Sequence, residues 1–312
     1  MTEPEAVQTA LDHALRISLA NPEGTVATYI PELGSVDPDR TSAAVVLNSG
    51  QVITAGEVAE HRFTLQSAAK LIVLCGALEE LGADCVFSAV GSEPSGESFS
   101  SIARLDSRGP QAANPMVNSG AITLCGLIEG QAEERIAWIE RWASKLCGVN
   151  VGVNARVQAS ERRTGDRNRS IAYLLRSNGS LSGSVDDVLD AYFALCSLEV
   201  SVIEAAYLGS VLANGGVAPS GERVVSIDNA RRVVSLMASC GVYDESGTYM
   251  MKTGLPAKSG VSGVIVASAV AAGGIAVCSP RLNKRGGSVR GHVILEHLSD
   301  ALGWHFATQT PS

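Results

Sequence analysis

Ser67 and Lys70 stand three residues apart in "LQSAAK", at the head of an apolar run that continues through "LIVLCGALEELGA". Residues i and i+3 of a helix share a face, so the lysine amine can reach the serine hydroxyl. A serine hydroxyl is a weak nucleophile until an adjacent base takes its proton. Lysine is such a base only when burial or a neighbouring positive charge brings its amine down toward neutrality. A downward shift of about three pKa units costs roughly 4 kcal/mol, which a fold of this length can carry. The same residues also fit an ordinary helix start, with an N-cap serine and a lysine that reaches back to solvent.

A second element lies far along the chain in "GLPAKSGVSGVIV", where Lys258-Ser259-Gly260 directly precedes a strand-like run. A K-[ST]-G segment lines Ser–Lys acyl-transfer sites. Its glycine lets substrate lie against the strand. The backbone N–H of Val261 then joins that of Ser67, which opens a helix, as an oxyanion hole. The S-D-N element of penicillin-type enzymes is absent.

The elements that must position these residues follow from periodicity. Ala6, Val7, Ala10, Leu11, Ala14 and Leu15 repeat at helical spacing. "SAAVVLNSGQVITAGE" reads as two strands joined at Asn48-Ser49-Gly50, and the Ser67 helix closes near Gly82. The text from Gly91 to Pro115 reads as an ordered loop anchored by Phe99, Ile102 and Leu105. From about Asn118 to Gly241 the pattern is helical, with Ser184 and Asp187 at one helix start and Gly215-Gly216 at a stop. Strand patterns return in "SGVIVASAV" and "GGIAVCSPR", divided by a turn at Gly273-Gly274, and "VRGHVILEHLSDAL" closes the chain as a helix. The fold class is therefore α+β: a mixed or antiparallel central sheet built from both chain ends, with flanking helices and an inserted helical lobe. The α/β part spans about 1–115 plus 242–312 and the helical part about 116–241, within one domain of 1–312.

Hydrophobic residues make up 46% of the 312 residues, which excludes a disordered chain. Charged residues are only 18%, below the roughly 25% of ordinary domains, so surface buried between subunits is expected. The net charge of -8, with scattered Lys and Arg, leaves no footprint for nucleic acid or an anionic membrane. A small-molecule substrate is expected. Seven cysteines form no CxxC pair and suit free thiols in a reducing compartment. The five histidines form no H-E-x-x-H, so no metal site is expected. "MTEPEAVQTALDHALRISLA" lacks the basic and apolar regions of a signal peptide, and a cytoplasmic location is expected.

Together, "TYIPEL", "LQSAAK", "GSEPSG", "NPMVNSGAI", "QASERRTGDRN", "DAYFALCS", "LANGG", "SLMASCGVYDESG" and "GLPAKSGVSGVIV" resemble the serine-dependent glutaminases, from about Ala27 to the last helix. The resemblance implies the β-lactamase/DD-peptidase-like fold, and hydrolysis of L-glutamine to L-glutamate and ammonia through a glutamyl-serine intermediate, without cofactor. It implies a homodimer or homotetramer. It also implies Ser67 as nucleophile, Lys70 as base, Tyr243 as proton shuttle and Val261 in the oxyanion hole. Tyr29, Asn118, Glu161, Asn168 and Tyr192 match glutamine-binding positions, beside Ser67, Tyr243 and Val261. Glu161 suits the substrate ammonium; Asn118, Asn168 and Tyr29 are neutral donors for its carboxylate. The departures are mild: "AAK" is smaller than usual and "NSGAI" replaces "NAGAI".

Overall fold

The computed structural model describes residues 3–58, 61–95 and 111–308. Phe99, Ile102 and Leu105, the expected loop anchors, lie outside the described residues.

Five strands form one antiparallel sheet: β1 (Ser42–Leu47), β2 (Val52–Gly56), β5 (Ala257–Ser259), β6 (Val264–Ala269) and β7 (Gly273–Cys278). Their order is β2-β1-β7-β6-β5. The first two come from one end of the chain and the last three from the other, as the strand patterns require. A two-stranded pair, β3 (Arg62–Thr64) with β4 (Glu199–Ser201), ties the lead-in of Ser67 to the helical part.

Every residue of β1, β6 and β7 is buried, because helices cover both faces of the sheet. Along β1 the faces alternate as the pleat dictates. Ala43, Val45 and Leu47 pack with the Pro4–Leu19 and Val289–Leu302 helices, whereas Ala44 and Val46 join the core of the helical part. The α+β architecture read from the sequence is the one observed.

One expectation fails informatively. The turn between β6 and β7 is Val270-Ala271-Ala272, with Ala271 at φ +66°, and Gly273 and Gly274 lie inside β7. A Cβ on Gly274 would lie 1.9 Å from the Ser210 nitrogen, and one on Gly209 would lie 2.6 Å from the Ala267 carbonyl oxygen. These glycines let the Val202–Ala213 helix press against the sheet, a demand that sequence cannot separate from a turn.

The Lys70–Glu80 helix is apolar all round and buried from Lys70 to Leu78, the signature of a central helix. It runs against the Ala132–Cys147 and Ile227–Cys240 helices. A short 3-10 turn, Gln66–Ala69, leads into it, and this is where Ser67 sits. Gly82, at φ +82°, follows its end.

Candidate active site

The 3-10 turn gives Ser67 its setting. Gln66 holds φ +50°, a region that non-glycine residues seldom enter. Its side chain is fixed from both ends: Oε1 accepts from the Tyr29 hydroxyl at 2.8 Å, and Nε2 donates to Thr64 Oγ1 at 3.1 Å. Such a locked strained residue is what one finds where a neighbouring side chain must be aimed.

Lys70, one turn on, is 0% exposed. Its Nζ stands 3.1 Å from Ser67 Oγ and 2.7 Å from Asn118 Oδ1. Desolvation by burial pulls its pKa down to about 8. A neutral amine with one N–H given to Asn118 keeps its lone pair for the Ser67 hydroxyl. The lysine is therefore buried, within hydrogen-bond reach of Ser67, with its protonated form disfavoured.

Lys258 and Ser259 lie in the edge strand β5 itself, and Gly260–Gly263 is the turn into β6. The K-S-G segment thus ends a strand instead of opening one. A Cβ on Gly260 would lie 2.5 Å from the Leu65 carbonyl oxygen, so this glycine brings Val261 beside the Ser67 turn. Lys258 is fully buried and gives its amine to the Gly241 and Ser259 carbonyls at 2.9 and 2.8 Å. Desolvation holds its pKa well below the ordinary value, with the nearby Lys70 amine adding to the effect. Its Nζ lies 4.0 Å from the Tyr243 ring centre.

Tyr243 opens a short 3-10 turn with φ +54°, and its hydroxyl pairs with the Ser67 side chain. Burial pushes the phenol upward, so it is a proton donor near neutral pH.

A cavity of about 320 Å³ opens over Ser67, within the roughly 300–1,000 Å³ of small-molecule sites; Lys70 and Tyr243 do not border it, and Tyr243 instead lines a neighbouring space of about 190 Å³. Tyr29, Ser67, Asn118, Glu161, Asn168, Tyr192 and Val261 all border the cavity of about 320 Å³. A larger space of about 470 Å³ beside Arg40 and Arg156 holds none of these paired groups.

Glu161 is 5% exposed and accepts from the Tyr29 hydroxyl at 2.7 Å. Burial raises its pKa, partly offset by that hydrogen bond. It does not share in the salt-bridge cluster its arginine-rich surroundings suggest for Arg162 and Arg163, which turn to Asp190 and to Ser160 Oγ. Asn118 Nδ2 donates to Asn168 Oδ1 at 3.0 Å, linking the two amides. Tyr192, paired with the Cys196 thiol, is buried and forms a wall. The single hydroxyl proton of Tyr29, read as a donor for a substrate carboxylate, stands within hydrogen-bond distance of both Glu161 Oε1 and Gln66 Oε1 and serves one acceptor at a time.

Sequence reasoning did not single out Gln66, Cys196 or Arg167, which also border the cavity. Gln66 directly precedes the nucleophile, a position that could have flagged it. The other two carry no distinguishing spacing.

The family model described as Glutaminase matches residues 24–306. The chain belongs to the glutaminase family. A curated glutaminase of Legionella pneumophila strain Corby is 47% identical over 298 residues, covering 95% of this chain and 96% of the relative. Glutaminase 2 of Clostridium perfringens is 43% identical over 89% of this chain and 92% of its own. Among solved structures, the probable glutaminase ybaS superposes with a TM-score of 0.95 at 35% identity, covering 98% of this chain and 100% of that one. A Bacillus glutaminase gives 0.86 at 30% identity, covering 97% and 99%.

Proposed function

We propose that this glutaminase-family chain hydrolyses the side-chain amide of L-glutamine to L-glutamate and ammonia through a glutamyl ester on Ser67. The observation that carries this reading is the fully buried Lys70 amine 3.1 Å from Ser67 Oγ at the base of an amino-acid-sized cavity. Neutral Lys70 takes the Ser67 proton as Oγ bonds to the side-chain carbonyl carbon. The N–H groups of Ser67 and Val261 receive the oxyanion that forms. The carbon–nitrogen bond then breaks, and the proton held by Lys70 passes to the leaving nitrogen with the Tyr243 hydroxyl as relay, giving ammonia. Water attacks the ester next, losing a proton to Lys70; Oγ departs, regains its proton and frees glutamate.

Glu161 receives the substrate ammonium, Asn118 and Asn168 frame the backbone of the substrate, and Tyr29 and Tyr192 shape its walls. Asparagine is one methylene shorter, a difference of about 1–3 kcal/mol in pocket filling. Its misplaced amide adds an orientation penalty, so glutamine is strongly preferred.

The proposal includes a single catalytic domain over residues 1–312, with the division at about 116–241 given above, acting in the cytoplasm as a homodimer or homotetramer. Free thiols at all seven cysteines favour a reducing compartment. Exposed Met251 (76%) and Phe306 (70%) favour further burial between copies. A monomeric mass in light scattering would count against assembly.

The test is ammonia release from L-glutamine. Ser67→Ala and Lys70→Ala are expected to lose it by three or more orders of magnitude with the fold intact. Hydroxylamine added to the wild-type protein is expected to divert the glutamyl ester to a hydroxamate. Retention of most activity in Ser67→Ala would falsify the mechanism.

A further inference from the structure

Tyr243 is one of three non-glycine residues at positive φ among the described residues, with Gln66 beside the nucleophile and Ala271 in an exposed turn. Such a backbone persists only where its surroundings over-determine it. Within the turn, Ser246 Oγ accepts from the Val242 N–H at 3.0 Å and donates to the Tyr243 carbonyl at 2.8 Å. From outside, the turn is held by the loop that joins β7 to the Val289–Leu302 helix. Asn283 Nδ2 donates to both carboxylate oxygens of the half-buried Glu245, at 3.0 and 3.1 Å.

The other end of the Asn283 side chain shapes its own loop. Oδ1 accepts from the N–H groups of Arg285 and Gly287 at 2.9 and 3.1 Å, and the Asn283 N–H donates to the Gly287 carbonyl at 2.8 Å. Gly287 is what admits the Glu245 carboxylate. A Cβ there would lie 2.8 Å from Glu245 Oε2. The adjoining Gly286 lies beside Val261, whose Cγ1 would be 3.8 Å from a Cβ at that position. The loop is tied down on both sides: Leu282 exchanges backbone hydrogen bonds with Thr25, and Ser288 Oγ donates to the Ser279 carbonyl at 2.7 Å. One anchored loop therefore flanks both the turn that carries Tyr243 and the residue that offers the second oxyanion N–H.

We propose that Glu245 is a positioning residue that holds the Tyr243 hydroxyl on Ser67 through its contact with Asn283, an inference that rests on the relay role given to Tyr243 above. Glu245 does not border the cavity over Ser67 and acts through the backbone two residues away. Its neighbour Asp244 also reaches the loop, through Arg285 at 3.6 Å, but both of those side chains are about half exposed and water screens the pair. The Glu245–Asn283 contact is charge-assisted and engages both carboxylate oxygens, so it fixes direction as well as distance. Without it the turn can relax from φ +54°, and a shift of about 1 Å at a reacting group costs up to about a hundredfold in rate.

The experiment measures kcat and KM for L-glutamine, with near-ultraviolet circular dichroism confirming the fold of each variant. Glu245→Ala is expected to lower kcat about tenfold while KM changes less than about twofold. Glu245→Gln, which keeps an acceptor for Asn283, is expected to recover most of that loss, and Arg285→Gln is expected to lose less than about twofold. Once the Tyr243 hydroxyl is removed there is nothing left to misplace, so Glu245→Ala made on top of Tyr243→Phe is expected to be no slower than Tyr243→Phe alone. Asn283→Ala makes the same comparison from the loop side, and its loss should likewise vanish in the Tyr243→Phe background. Losses that multiply in those double variants, a loss through KM instead of kcat, or an undiminished kcat in Glu245→Ala overturn the inference. Tyr243→Phe turning over at the wild-type rate, or a wild-type protein that releases no ammonia, overturns the relay reading beneath it instead.

Discussion

At the scale of residues, the site's chemistry turns on how few groups must be charged. Lys70 and Lys258 both lie within reach of the Tyr243 ring, at 5.9 and 4.0 Å from its centre, and both are fully buried. Burial favours the neutral form of an amine, and a proton on either one discourages a proton on the other. With its pKa lowered to about 8, Lys70 loses the base form as pH falls through that value. We predict that kcat/KM of the free enzyme rises about tenfold from pH 6 to 7 and levels off above about 8. Glu161, whose pKa burial raises, adds a second loss at lower pH, because only its ionised form answers the ammonium. The acid limb should therefore steepen there, and Glu161→Gln should remove the steepening while raising KM. A profile flat from pH 6 to 9 would rule out a neutral lysine base. The Ser67–Lys70 pair was legible in the sequence because both partners sit one helical turn apart. Gln66 was not, because nothing in a glutamine side chain announces a positive φ.

At the scale of elements, alternation and helical spacing exposed the strands and the buried central helix, whereas the glycines misled. Gly273-Gly274 reads as a turn from composition, yet both residues lie inside β7, where the backbone of another element touches them. The K-S-G segment was displaced by the same kind of error. Its glycine is needed for contact with the Leu65 carbonyl, so the strand ends before it and the apolar run beyond is β6. Sequence records that a side chain is missing but not which neighbour fills the space. Gly274→Ala tests this account directly, since its Cβ would lie 1.9 Å from the Ser210 nitrogen and 2.1 Å from the Ala206 carbonyl oxygen. Neither atom can yield without moving the Val202–Ala213 helix off the sheet. A loss of about 3 kcal/mol is expected from the denaturation midpoint, the upper end of ordinary overpacking. A loss below about 0.5 kcal/mol, the size of a neutral surface change, would show that the glycine is there for another reason.

At the scale of the whole molecule, the position of β7 decides how the chain holds together. It pairs with β1 on one side and β6 on the other, joining residues 42–47 to residues 273–278. The groups proposed for the site follow the same division: Ser67 and Lys70 come from the early part, Asn118, Glu161 and Asn168 from the helical part, and Tyr243 and Val261 from the late part. No one part carries the site alone. The core is likewise shared, because one buried cluster includes Ala44 and Val46 of β1, Val264 and Val266 of β6, Ala276 of β7 and Leu189, Phe193 and Leu208 of the helical part. Helices that bury their apolar faces against the sheet have nothing to cover them once the sheet is gone. The helical part should therefore not outlast the sheet. We predict that near-ultraviolet circular dichroism, which reports fixed aromatic packing, and far-ultraviolet circular dichroism, which reports helix, fall together in urea with loss of turnover. Closing so long a loop makes the β1–β7 pairing late and slow in refolding, so activity should return with the slowest phase. A helical signal that survives beyond the loss of near-ultraviolet signal and activity would mean that the helical part is stable without the sheet, and the shared core would then not govern stability.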